Sequence, residues 1–137
     1  MKLSTKTRYG LRLMIDLAQH YHEGPISLSE VAKRQDISKK YLEQVVSPLV
    51  KANLLVVTRG YAGGYELSRT PAEITCADIA IVTEEGFELL DCLKNKGDCK
   101  RSDWCLSRNI WAGLEKAMID YLDGITLQDV LDKDIAV

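Results

Sequence analysis

The sequence predicts a mainly α-helical fold with one small β-hairpin: a winged helix-turn-helix plus a long helix suited to dimerisation. Three observations lead there. Helix-period apolar segments over residues 5–53 are followed by two short segments, β-branched or aromatic, around a glycine-rich tip. The formal net charge of −2 conceals a split, with 11 Lys+Arg against 6 Asp+Glu in residues 1–70 and 7 against 14 in residues 71–137. A last apolar stripe runs from Ile110 to Leu122. A basic half of this kind points to a polyanionic partner.

Residues 5–22 read as the first helix, with Leu11, Met14, Ile15 and Ala18 at helical spacing and Gly24-Pro25 ending it. Ser27 and Glu30 form a capping-box pattern for a short second helix, which carries Val31 and Ala32 inward and ends near Gln35-Asp36. Ser38 caps a third helix whose apolar side is Tyr41, Leu42, Val45, Val46 and Leu49. Pro48 lies inside it, and a missing N–H plus a ring clash predict a kink or break near Val46-Ser47. Leu54–Thr58 and Tyr65–Ser68 read as the strands of a hairpin whose tip is Arg59-Gly-Tyr-Ala-Gly-Gly64. Together these form a helix-turn-helix with a wing.

Arg69-Thr70-Pro71-Ala72 marks a boundary between residues 1–70, the DNA-binding domain, and residues 71–137, a cysteine loop with a long helix. Thr75, with Asp78 at N3, caps a helix from Cys76 to about Glu85. Residues 92–105 are the least regular. Leu106–Leu122 is helical, with Gly124 as its stop, and Thr126-Leu-Gln-Asp129 opens a final short helix.

Apolar residues make up 46 % and charged residues 28 %, which excludes a disordered or fibrous chain. Four cysteines are too few for a disulfide scaffold. No apolar run approaches a membrane span, and residues 1–6 lack a signal-peptide core, so the expectation is a cytoplasmic protein without membrane contact. No nucleophile with a recognisable base and no phosphate loop is present; Gly60-x-x-Gly63-Gly64 lacks the following helix and Lys-Ser/Thr. An enzyme is not expected.

Ser38, Lys39, Lys40, Tyr41 and Gln44 cluster on the first turns of the third helix, where helix-turn-helix proteins reach base edges and phosphates. Arg59 opens a slim tip able to enter a minor groove. Double-stranded DNA is thus the expected partner, protein contact alone being the competing use of a winged helix. The stripe Ile110, Leu114, Ala117, Met118 and Tyr121 predicts a homodimer, which suits a pseudo-palindromic operator.

Cys92-x6-Cys99-x5-Cys105 supplies three soft ligands on a polar loop. Without a C-x2-C pair, the spacing favours an iron–sulfur cluster over a zinc ribbon, with three ordinary thiols as the alternative. Cys76 reads as a core residue. His20 and His22 lie on different faces of their helix and make a poor chelate.

Several segments resemble the Rrf2 family of bacterial transcription regulators: Met1-Lys-Leu-Ser-Thr-Lys-Thr-Arg-Tyr-Gly10, Ile37-Ser-Lys-Lys-Tyr-Leu-Glu-Gln44, Arg59-Gly-Tyr-Ala-Gly-Gly-Tyr65, Thr75-Cys-Ala-Asp-Ile79 and Ile125-Thr-Leu-Gln-Asp-Val130. The three cysteines place the chain nearest the family's iron–sulfur cluster regulator branch. The resemblance implies a homodimer with a crossed long helix. It also implies a [2Fe–2S] or [4Fe–4S] cluster on Cys92, Cys99 and Cys105 that governs repression or activation. The family's His ligand, three residues after the last cysteine, is replaced here by Arg108, which cannot donate to iron. The fourth ligand is therefore unassigned. The alternatives are a cluster-free thiol switch and an interaction module with structural zinc.

Overall fold

The computed structural model describes residues 2–85 and 87–135. In chain order the elements are α1 (Thr5–Gln19), α2 (Leu28–Gln35), α3 (Lys39–Lys51), β1 (Leu55–Thr58), β2 (Gly64–Leu67), α4 (Cys76–Thr83), α5 (Asp91–Lys94), α6 (Leu106–Asp123) and α7 (Leu127–Leu131). Helices dominate, and the single hairpin is antiparallel, with Leu55 opposite Leu67 and Thr58 opposite Gly64.

The first helix ends earlier than its periodicity predicts, at Gln19, and a 3-10 turn covers Tyr21–Glu23. His20 stops it, its Nδ1 lying 2.8 Å from the Asp16 carbonyl. The deepest residues of α1 are Leu13, Met14 and Leu17, whereas Leu11 and Ile15 sit at the margin of the core. Ser27 caps α2 by accepting from the Glu30 N–H, but only this half of the capping box forms. The Glu30 carboxylate faces Arg34 instead, at 3.6 Å. Thr75 and Thr126 form complete boxes with Asp78 and Asp129 and are bridged to each other.

Of the kink or break expected at Pro48, the break is not found: α3 is one continuous helix across it. The missing N–H would have served the Gln44 carbonyl. Gln44 is on the exposed face, where water can substitute, while Val45, Val46 and Leu49 hold both sides of the proline in the core. Gly124 ends α6 in a right-handed conformation rather than the left-handed one expected of a glycine stop.

Leu13, Met14, Leu42, Val45 and Leu49 pack with Ile74, Ile79 and Leu127 in one buried cluster. The core therefore continues across residue 70, and α4 and α7 close the winged helix from behind. By contrast α6, at 18 residues, has no buried residue. No helix among the described residues is long and apolar enough to cross a membrane.

Candidate nucleic-acid interface and cysteine segment

The proposed reading helix starts where its sequence predicts. The Ser38 hydroxyl accepts the Tyr41 N–H at 3.3 Å, satisfying one orphan donor of α3. Lys39, Lys40 and Gln44 are exposed, on one side of a helix whose other side is sealed in the core. Tyr41 is half-buried and meets the Tyr9 ring edge-on at 5.5 Å, so its ring joins α1 to α3. Arg12 lies over the other partner, 5.4 Å from the Tyr9 centroid.

A polar cluster around the buried Asp16 joins α1 to α2. Asp16, only 1 % exposed, accepts from Arg34 Nη2 at 2.7 Å, Arg34 Nε at 3.1 Å and Gln35 Nε2 at 3.0 Å. Arg12 donates to the Gln35 carbonyl and side chain. Burial pushes the Asp16 carboxyl up, but the Arg34 and Gln35 hydrogen bonds and the charges of Arg34 and His20 outweigh it and hold the group below its ordinary value. The sequence reading missed this cluster. Its one signal is an acidic residue between Leu13 and Leu17 on a helix that must bury that side; the partners lie 18 and 19 residues away.

The wing is fastened at its root. Tyr65 exchanges backbone hydrogen bonds with Ile26, at 2.8 and 3.1 Å, and Ser68 Oγ donates to the Asn53 carbonyl at 2.5 Å. A Cβ on Gly64 would lie 2.4 Å from the Ile26 backbone, so only glycine permits this approach. Arg59 is exposed beside the tip.

Behind α4, Glu84 ties the N-terminus to the segment leading to the cysteines. Its Oε2 accepts from Ser4 N at 3.0 Å, Ser4 Oγ at 2.9 Å and Thr7 Oγ1 at 2.5 Å. Burial raises this carboxyl, and the Thr7 and Ser4 hydrogen bonds more than reverse that, leaving it lowered.

Cys92 lies on α5, Cys99 follows a 3-10 turn at Lys96–Asp98, and Cys105 is the N-cap of α6. All three are free and half-buried, and Cys76 is free and buried in α4, as its spacing predicts. Among the described residues no three Cys, His, Asp or Glu side chains are grouped to hold a metal ion. Local hydrogen bonds hold the thiols' backbone in separate turns. Arg108 donates from Nε and Nη2 to the Cys92 carbonyl at 3.3 and 3.1 Å. Cys105 Sγ lies 3.2 Å from Ser107 Oγ. That hydrogen bond first, then the Arg108 backbone N–H, lower the Cys105 thiol against a small effect of burial. The donor chemistry of the three thiols suits a cluster, while Arg108, three residues after the last cysteine, is a cation engaged with a carbonyl.

A helix-turn-helix with a basic, polar face and an anchored β-wing is the architecture of a DNA-binding transcriptional regulator. Residues 3–133 match the Rrf2 family, described as iron-dependent transcriptional regulators, and the chain belongs to that family. Protein rrf2 of Nitratidesulfovibrio vulgaris is 39 % identical over 131 residues, covering 96 % of this chain and 87 % of its own. The HTH-type transcriptional regulator IscR of Aliivibrio salmonicida is 37 % identical over 131 residues, covering 96 % of this chain and 77 % of its own. The structure of T. potens IscR matches with a TM-score of 0.78 and 38 % identity over 98 % of this chain and 89 % of that one. CymR (YrzC), the global cysteine regulator of B. subtilis, matches with a TM-score of 0.77 and 38 % identity over 97 % and 98 %.

Proposed function

We propose that this chain is a homodimeric repressor or activator that reads a pseudo-palindromic operator with α3 and its wing, and that an iron–sulfur cluster on Cys92, Cys99 and Cys105 sets its affinity for DNA. Residues 1–70 supply Ser38, Lys39, Lys40, Gln44 and Arg59 to the DNA, with Tyr41 bracing the helix. Residues 71–137 supply the thiols and, through α6, the pairing surface. The observation that carries the sensing role is the arrangement of three free, half-buried thiols in one short segment that runs into the first turn of α6. A bound cluster would supply a redox- and oxygen-sensitive centre. The Arg108 guanidinium, donating to the Cys92 carbonyl, couples this segment to α6. Leu106, Ile110, Leu114 and Tyr121 are exposed on α6, and Gly113 has no atom near where a Cβ would stand, which supports close packing against a second copy.

A metal-free thiol switch is the second reading. It is favoured by Arg108, a non-ligating cation, three residues after the last cysteine, and by three free thiols in one segment. Anaerobic reconstitution with iron and sulfide decides between them. Visible charge-transfer absorption with bound iron and acid-labile sulfide, lost in Cys92→Ala, Cys99→Ala and Cys105→Ala but kept in Cys76→Ala, supports the cluster. A colourless protein that forms a disulfide on mild oxidation supports the switch, and stoichiometric zinc would overturn both.

A further inference from the structure

We propose that Tyr61, at the tip of the wing, is a DNA-contacting residue that seats its ring against a base step in the minor groove. Tyr61 is 109 % exposed, so its ring is packed against nothing in the fold. Single surface hydrophobics are ordinary; what sets this one apart is how firmly its backbone is held. Gly63 N donates to the Gly60 carbonyl at 3.1 Å, closing a four-residue turn with Tyr61 and Ala62 at its corner. Gly60 takes φ +109°, and a Cβ on Gly63 would lie 2.1 Å from the Thr58 carbonyl oxygen. Two glycines thus lock the turn, while the Ile26–Tyr65 bridge locks the root. The fold presents an aromatic ring at the far end of a stiff, narrow hairpin.

The chemistry beside it selects the occupant. Residues 58–65 carry one charge, the exposed Arg59, and no acid, as a phosphate-lined groove requires. Minor-groove proteins pair such an arginine with an apolar or aromatic wedge that loosens a base step. A backbone held in advance loses little further freedom on binding, which leaves only the ring's own rotamer to be fixed. The proposal rests on the wing meeting DNA, so its test must separate the two ideas.

The probe is a duplex recovered with the wild-type protein from a random-sequence library, carrying 2-aminopurine at the step under the wing as located by footprinting. Affinity and its salt dependence are measured by anisotropy. Tyr61→Ala should bind roughly fivefold to a hundredfold more weakly, the range of a lost base–aromatic contact, with an unchanged salt slope. Tyr61→Phe should stay near wild type, because the ring and not the hydroxyl makes the contact. Arg59→Ala should weaken binding and flatten the slope by about one. The 2-aminopurine signal should rise on wild-type binding and fail to rise with Tyr61→Ala. Weakening by Arg59→Ala with no effect of Tyr61→Ala overturns the role of Tyr61 and leaves the wing on DNA. A Tyr61→Phe variant as weak as Tyr61→Ala overturns the stacking contact. If neither Arg59→Ala nor Tyr61→Ala changes affinity while Lys40→Ala does, the wing does not meet DNA at all. The Tyr61 ring has no folding role, so the thermal midpoint of Tyr61→Ala should match wild type.

Discussion

Asp16→Asn should loosen the helix-turn-helix from inside. The substitution keeps the shape of the side chain but removes the charge that accepts three hydrogen bonds from Arg34 and Gln35. Breaking a buried ion pair from one side typically destabilises by about 3–5 kcal/mol. Here the Arg34 side chain keeps 34 % of its surface in water and can rehydrate, so the structure supports a smaller loss. We expect about 2–3 kcal/mol, or a fall in Tm of roughly 6–12 °C for a chain of this size, at matched protein concentration. The pH dependence gives the prediction its sign. The folded carboxyl titrates below the unfolded value of 3.8, so between those two values the unfolded chain binds more protons and stability rises with pH. The contribution of Asp16 is complete well above pH 3.8 and is lost as pH falls through that value toward the folded pKa. Denaturant titrations of both proteins across this range should show a gap near neutrality that closes in acid. A gap that stays constant down to about pH 3, or a variant that melts with wild type at neutral pH, would refute the assigned role of the Asp16–Arg34 pair.

Glu84→Gln should lose about 1 kcal/mol by weakening the acceptor for Ser4 and Thr7, and chemical denaturation should show the difference shrinking below pH 4.5, where the wild-type carboxylate begins to lose its own advantage. Leu114→Glu places a charge on the exposed apolar stripe of α6; sedimentation equilibrium should report monomers where wild type is dimeric, and a wild-type monomer at micromolar concentration would remove the basis for the pairing surface. Gly64→Ala should force the wing root off Ile26, destabilising by about 1–3 kcal/mol and weakening DNA binding more than its stability loss explains, as seen by anisotropy well below Tm. Arg108→His should lengthen the lifetime of a reconstituted cluster in air; an unchanged lifetime means that another group already fills the fourth position.

The order of elements was legible in the sequence because each signal is local. Ser38, Thr75 and Thr126 lie one residue before their helices and satisfy donors two or three residues on, so their caps can be read without knowing the fold. The hairpin was legible for the same reason: its strands are short and β-branched or aromatic, with Gly60 and Gly63 between them and Gly64 opening the second. The burial of Cys76 followed from its apolar neighbours on α4. The sequence alone also made the chemical inventory of the cysteine segment plain, including the arginine at position 108.

Other features depended on contacts between distant residues. Pro48 leaves α3 unbroken because core contacts on both sides outweigh one absent hydrogen bond, and a propensity rule does not see those contacts. Asp16 is the one acid of α1 and becomes the clamp of α1 on α2 only when Arg34 and Gln35 arrive from the next helix. Glu84 reaches Ser4 across 80 positions. Spacing states which thiols could share a ligand, but only the fold shows the Arg108 guanidinium donating to the Cys92 carbonyl and the turn at Lys96–Asp98 between Cys92 and Cys99. Local hydrogen bonding and periodicity are encoded within a few residues; burial and side-chain convergence depend on which elements meet, and tertiary packing alone decides that.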